Sequence, residues 1–321
     1  MKHAALLLSV LLGACTASKG ASPSVTPAPA QRASQTPRIL GIAHMALFVS
    51  DLAKARVFYK DFLGFGEPFA LPHPDGRDRI AFVKVNDQQY IELFDEPPRN
   101  DGRVYHISFY TDDAPGMRDH LAALGLPVAA TVGKGKIGNL QFGIVDPDGH
   151  NVEIVQYQPT GWTLRDRGKA LPDTRIAVRI AHLGVLVGTL APSLAFYGQT
   201  LGFQETWRGG PSSAVLSWVN MRVPGGRDYL ELMLYETLPP PDQRGGKNHI
   251  CLEVPDVVRA VAVLEQRRAR TGYARPIEVK VGVNRKRQAN LFDPDGTRVE
   301  LMEPDTVDGK PAPRSTAPPP R

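Results

Sequence analysis

Cysteine is nearly missing from this chain. Cys15 and Cys251 are the two in 321 residues, so no disulfide framework is available and stability must come from buried apolar surface. Charge of one sign is lacking as well: 38 basic residues stand against 33 acidic ones, a net charge of +5, spread along the sequence. Aromatic residues amount to 7% and do not interleave with the basic ones, which removes the usual ground for a nucleic-acid surface. The apolar run Ala4–Leu12 is too short to cross a bilayer. Hydrophobic content is 42%, enough for two domains of ordinary size, each with its own core.

Internal repetition is the strongest positive signal. His44-Met-Ala-Leu-Phe-Val leads to Phe58-Tyr59 and Leu63-Gly64-Phe65, and His182-Leu-Gly-Val-Leu-Val leads with the same later spacing to Phe196-Tyr197 and Leu201-Gly202-Phe203. Those two units later carry Tyr90-Ile-Glu92-Leu and Tyr229-Leu-Glu231-Leu, whereas the units between and after them share Asp146-Pro-Asp-Gly149 and Asp293-Pro-Asp-Gly296. A block of two unlike modules has therefore been duplicated.

Each module opens with a histidine and closes with a glutamate. The pairs are His44 with Glu92, His106 with Glu153, His182 with Glu231 and His249 with Glu300, separated by 48, 47, 49 and 51 residues. Imidazole and carboxylate both ligate borderline divalent metals, so all eight are candidate ligands in two mononuclear sites, with Zn, Ni, Co, Mn or Fe as the expected ions. His3, His73, His120 and His150 fall outside this spacing pattern.

The apolar periodicity reads as strand, helix and three strands in each module. In module one a strand covers 42–49, Asp51 caps a helix with the stripe Leu52, Ala55, Phe58, Tyr59 and Phe62, and strands follow at 67–71, 79–85 and 89–94. Module two places strands at 104–110, 128–132, 140–145 and 151–156 around a helix at 115–124. Module three runs from Ile180 through a helix near Pro192 to a strand at Glu231, and module four from Asn248 through a helix at 257–268 to a strand at 298–302. The Asp-Pro-Asp-Gly segments are expected to form tight hairpin turns.

This βαβββ order, with His on the first strand and Glu on the last, resembles the vicinal oxygen chelate superfamily of glyoxalase I, extradiol dioxygenases and bleomycin-resistance proteins. The resemblance implies an α+β fold in which four βαβββ modules pair into two open cups, one over 41–158 and one over 179–303, joined by a linker at 159–178. It implies one site of His44, Glu92, His106 and Glu153 and another of His182, Glu231, His249 and Glu300. Pairing modules one with four and two with three would reassign these partners. By likeness to glyoxalase I, the chain is expected to act on a small oxygen-chelating substrate as a metal-dependent lyase or isomerase working through an enediolate. Glu153 and Glu300 are then the first candidates for the base, with Glu92 and Glu231 as alternates. Extradiol ring cleavage is an alternative, weakened because Gly143 and Asn290 occupy the positions where that family places a tyrosine. A non-catalytic binding protein is a further alternative.

The N-terminus carries a second resemblance. Leu12-Gly-Ala-Cys15 is similar to the lipobox of bacterial lipoproteins, which implies a signal peptide at 1–15, a lipid on Cys15 and anchoring in the bacterial cell envelope, periplasm-facing or at the outer membrane. Residues 16–40, rich in Ser, Pro and Ala, are expected to form a disordered tether, and 304–321 a disordered tail. Cys251 follows His249 on the same strand face and reads first as a small buried residue, second as a soft ligand or redox thiol. Two basic clusters, Lys134 with Lys136 and Arg285-Lys286-Arg287, occupy equivalent stretches that suit either solvated loops or the holding of an anionic substrate.

Overall fold

The first strand of each half, β1 (Gly41–Val49) and β9 (Arg179–Val187), is buried along its whole length. Burial on both faces accounts for the near-continuous apolar sequence. The computed structural model describes residues 37–97, 102–235, 237–240 and 243–320; the leader, Cys15 and most of the expected tether lie outside them.

Module one adds β2 (Gly66–Pro72), β3 (Asp78–Lys84) and β4 (Tyr90–Asp95), and module two supplies β5 (Val104–Tyr110), β6 (Gly133–Lys134), β7 (Leu140–Val145) and β8 (Asn151–Gln156). They form one curled eight-stranded sheet in the order β2-β3-β4-β1-β5-β8-β7-β6. The second half repeats it with β10 (Gln204–Gly209), β11 (Trp218–Arg222), β12 (Tyr229–Leu234), β13 (His249–Glu253), β14 (Val279–Val281), β15 (Lys286–Phe292) and β16 (Arg298–Thr306), ordered β10-β11-β12-β9-β13-β16-β15-β14. Modules one and two thus share a sheet, as do three and four, and the alternative pairing falls. The junction in each sheet is antiparallel, β1 with β5 and β9 with β13, while β1–β4, β5–β8, β9–β12 and β13–β16 are parallel.

Alternation along the strands separates two faces. Met45, Leu47 and Val49 face the main core, whereas His44, Ala46 and Phe48 face the concave side. The helices fill the space behind the sheets. Helix α1 (Leu52–Arg56) begins at Asp51, whose side chain accepts from the Lys54 N–H at 3.0 Å, and runs into a π-helical turn, Val57–Phe62, closed by the Leu63 N–H donating to the Phe58 carbonyl at 2.9 Å. Helix α2 (Ala114–Ala123) serves module two, and α3 (Trp162–Arg165) lies in the linker. In module three α4 (Leu190–Leu194) passes into a second π-helical turn, Ala195–Thr200, starting two residues before the expected Pro192. Helix α5 (Val257–Thr271) belongs to module four but packs on the module-one turn, with Phe62 and Tyr273 stacked at 4.4 Å. One core therefore spans both halves. Full burial of aromatic rings such as Phe62 is worth about 3 kcal/mol each.

The repeated motifs meet across that core. Tyr59 of module one donates its hydroxyl to Asp293 of module four at 3.2 Å, and Tyr197 of module three donates to Asp146 of module two at 2.8 Å. The second aspartates do the same work nearer the surface: Asp295 accepts from the Ser50 N–H at 3.0 Å, and Asp148 from the Gly188 N–H at 2.7 Å. The Asp-Pro-Asp-Gly segments are turns, as expected, and also clasps between halves.

Two expectations need correction, at 128–132 and at the C-terminus. The strand expected at 128–132 forms only at Gly133–Lys134, where the backbone meets Leu140 and Gln141. The linker is pinned to the first half, because buried Lys84 donates to the carbonyls of Asp166 (2.6 Å) and Lys169 (2.9 Å). The C-terminal segment, expected to be a free tail, lies against β10: the Ser315 N–H donates to the Arg208 carbonyl at 3.1 Å and the Trp207 indole to the Pro313 carbonyl at 2.9 Å.

Candidate metal centres

The two central parallel pairs of each sheet bring the histidines and glutamates together. In the first half Ala46 of β1 lies opposite both Glu92 of β4 and His106 of β5, while Ser108 lies opposite both His44 and Glu153. That register aims all four side chains at the middle of the concave face. His44 Nε2 is 2.8 Å from His106 Nε2, 3.5 Å from Glu92 Oε1 and 3.3 Å from Glu153 Oε1, and His106 Nε2 is 3.9 Å from Glu92 Oε2. Donor atoms bound at about 2.1 Å from a common ion lie about 3 Å apart when adjacent in an octahedral shell and about 4 Å apart when opposed. The residues present fit a divalent ion. The ligand atoms of His44, Glu92 and His106 all lie within 4.8 Å of one another, and Glu153 is anchored by the Ser108 hydroxyl, which donates to it at 3.1 Å.

Burial sets the electrostatics. It holds His44 well below its ordinary value, with repulsion from His106 adding to the effect, and takes His106 down to about 4. Both imidazoles are neutral and keep a lone pair for a cation. Burial raises Glu92, helped by the charge of Glu153, and lifts Glu153 to about 7 against the Ser108 bond. Two carboxylates sharing a dry site without a cation repel one another, so a divalent ion would relieve the strain on both.

These groups lie in a cavity of about 740 Å³. One wall is an apolar cluster with Ile80, Phe82 and Phe94, and Tyr90 beside them has a buried hydroxyl with no hydrogen-bond partner among the described residues. Of the two basic clusters, Lys134 and Lys136 line this cavity, whereas Arg285 and Arg287 are paired with Asp308 and Glu303.

The second half assembles its own quartet. His182 Nε2 is 3.0 Å from His249 Nε2 and 3.4 Å from Glu300 Oε2, and His249 Nε2 is 3.3 Å from Glu300 and 3.6 Å from Glu231. Its surroundings differ. Position 184 is glycine where the first half has Ala46, and a Cβ there would come within 2.0 Å of the His249 ring. The ring sinks into that space, and the His249 side chain is 0% exposed against 12% for His106. Arg298, two residues before Glu300, contacts His249 Nδ1. Burial and then this guanidinium hold His249 down to about 3. Burial would raise Glu300, yet hydrogen bonds from His182 and His249 bring it well below the carboxylate range. Cys251 is fully buried beside Tyr229 and Met302 and stands outside the donor group, in line with its reading as a small packing residue.

Ser108 and Arg298 are the two functional neighbours that sequence reasoning passed over. Both sit two residues from a candidate ligand on the same strand face, which is the signal that would have found them.

Comparison with known proteins agrees with the fold. A sequence model of the Glyoxalase/Bleomycin resistance protein/Dioxygenase superfamily matches residues 41–154 and again 179–301. The chain is similar to lactoylglutathione lyase of Neisseria meningitidis serogroup A, 31% identical over 123 residues, which cover 36% of this chain and 89% of the relative. A probable lactoylglutathione lyase of Synechocystis is 30% identical over 36% of the chain and 94% of its own length. Among solved structures, the Mn(II)-bound glyoxalase from Novosphingobium aromaticivorans superposes with a TM-score of 0.60 at 18% identity, covering 83% of each chain. The 2,3-dioxygenase LapB from a Pseudomonas species does so with a TM-score of 0.62 at 16% identity, covering 88% of this chain and 99% of the other. At such identities these two report the fold.

Proposed function

The chain belongs to the glyoxalase/bleomycin resistance protein/dioxygenase superfamily, and from that premise we propose that its first cup is the active site of a divalent-metal-dependent lyase or isomerase. The reading is glyoxalase I-like, with a small substrate that offers two oxygens. One observation carries it: His44 Nε2 lies 2.8 Å from His106, 3.5 Å from Glu92 and 3.3 Å from Glu153, inside a cavity of about 740 Å³. A divalent ion held by these four residues supplies Lewis-acid stabilisation of negative charge developing on substrate oxygens.

The remaining steps fall to the chain itself. Glu153 takes the proton from the carbon next to the substrate carbonyl and returns it to the neighbouring carbon of the enediolate. Buried beside the substrate carbon, its carboxylate is positioned for both transfers once water is excluded. Ser108 orients that carboxylate through its 3.1 Å hydrogen bond. The wall of Ile80, Phe82 and Phe94 excludes water. Ring cleavage is served less well, because Gly143, facing Glu153 from β7, offers no acid or base.

The test is solvent exchange. Lactoylglutathione and a panel of small 2-hydroxycarbonyl compounds, incubated with the protein in D2O, should gain deuterium at the carbon next to the carbonyl. Exchange should stop when metal is chelated and resume when it is restored. A metal-loaded protein that exchanges none of them would sink the lyase or isomerase reading in favour of a binding protein. The lipid anchor belongs to the same proposal: labelled palmitate should enter the wild-type chain in a bacterial host but not Cys15→Ala, and equal labelling of both would refute envelope anchoring through that residue.

A further inference from the structure

The second cup contains a cation of its own. Arg298 opens β16 two residues before Glu300 and shares its face. Its Nη2 lies against Nδ1 of His249, on the far side of the ring from the Nε2 that meets His182 at 3.0 Å and Glu300 at 3.3 Å. A guanidinium can only donate, so Nδ1 accepts and the ring proton resides on Nε2. An imidazole in that form has no lone pair at Nε2 for a metal. The Lys247 carbonyl, 3.1 Å from the same Nδ1, can only accept; without Arg298 it would hold the proton at Nδ1 and free Nε2.

The first half lacks this device. Asn151 opens β8 two residues before Glu153, and its Nδ2 donates to the Tyr105 carbonyl at 3.1 Å. Gly184 completes the contrast, because only without a Cβ at 184 does the His249 ring occupy its present position beside Arg298. The guanidinium Nε is buried with no partner among the described residues, so its positive charge remains within the site. A divalent ion entering there would meet a fixed positive charge in a poorly screened environment.

We infer that Arg298 holds the cation position of the second cup, so that the chain binds a single divalent ion in the first cup, and that the second quartet is a latent metal site which the one change Arg298→Asn opens. The count of one rests on the first cup being a metal centre; the opening of the second does not.

The probe is Mn2+ or Zn2+ alone, equilibrated with the full chain, followed by desalting and elemental analysis. Wild type should retain a single ion per chain, His44→Ala none, Arg298→Asn two, and the double variant His44→Ala with Arg298→Asn one. Should Arg298→Asn fail to fold, Arg298→Met keeps the stem and removes the charge, and the same gain is expected. Two ions in the wild type would overturn this inference and leave the proposed function standing. Retention of no ion by the wild type would overturn the reading of the first cup as well. A folded Arg298 variant with no gain over the wild type would overturn the latent site alone. A second readout is the tautomer of His249 in long-range proton–nitrogen spectra of histidine-labelled protein. The proton should be on Nε2 in the wild type and on Nδ1 in Arg298→Asn; a wild-type proton on Nδ1 would contradict the inference.

Discussion

The two cups follow the same strand order and carry the same quartet, yet one presents it in a cavity while the other packs it beneath an arginine. Five of the positions that differ lie beside the ligands. Ala46 corresponds to Gly184, Ser108 to Cys251 and Asn151 to Arg298. Phe82 and Gly143, which face the two glutamates of the first cup, correspond to Asn220 and Asn290 in the second. The first set leaves His106 partly accessible, anchors Glu153 and lines a cavity; the second sinks His249 and brings a guanidinium to it. Ligands define where a cation can bind, and residues one strand or two positions away decide whether it does.

The largest expected asymmetry is catalytic. Glu153→Gln should reduce turnover about 10²- to 10⁴-fold while metal is retained, whereas Glu300→Gln should leave the rate unchanged; equal losses in steady-state assays would make both cups active and break the comparison.

The next lies in the clasps between halves, read as stability against pH. Burial raises Asp293 to about 6 from 3.8, so its favourable contribution is complete below pH 3.8 and is lost as pH rises through about 6, on the order of 2–3 kcal/mol. Burial also pushes on Asp146, but bonds from His150 and Tyr197 bring it below its ordinary value, so its contribution is present above pH 3.8 and is lost as pH falls through the folded value. Urea titrations across this range should show that Asp293→Asn flattens the profile between pH 4 and 6 and Asp146→Asn flattens it at lower pH. Identical profiles for wild type and Asp293→Asn would refute the assignment.

Smaller effects sharpen the picture. Ser108→Ala should slow turnover about tenfold through loss of one hydrogen bond to a charged group, while Cys251→Ala should not alter it. Tyr59→Phe and Tyr197→Phe should each cost about 1 kcal/mol in chemical denaturation, with no change in bound metal; a loss of metal in either would show that the clasps shape the cups.

Much of this was legible in the residues. Histidine and glutamate recurring at near-constant spacing located all eight candidate ligands on the strands that carry them, and β7 and β8 fall where alternation placed them. Module pairing was not legible, because either arrangement joins first strands edge to edge and buries the same apolar faces. The partners of Asp146 and Asp293 lie 51 and 234 residues away in the other half, a distance at which local pattern says nothing. Arg298 resembled any strand-end arginine; its place against His249 depends on the missing Cβ of Gly184, one strand away. The C-terminal segment misled because its composition suits disorder, while single contacts such as Ser315 with Arg208 hold it in place.

The most direct test of the central claim is anomalous diffraction from crystals of the full chain grown with Mn2+. The account predicts one strong peak within coordination distance of His44 Nε2, His106 Nε2, Glu92 and Glu153, and none among His182, Glu231, His249 and Glu300. A peak in the second cup alone, or no peak in the first at saturating metal, would contradict it.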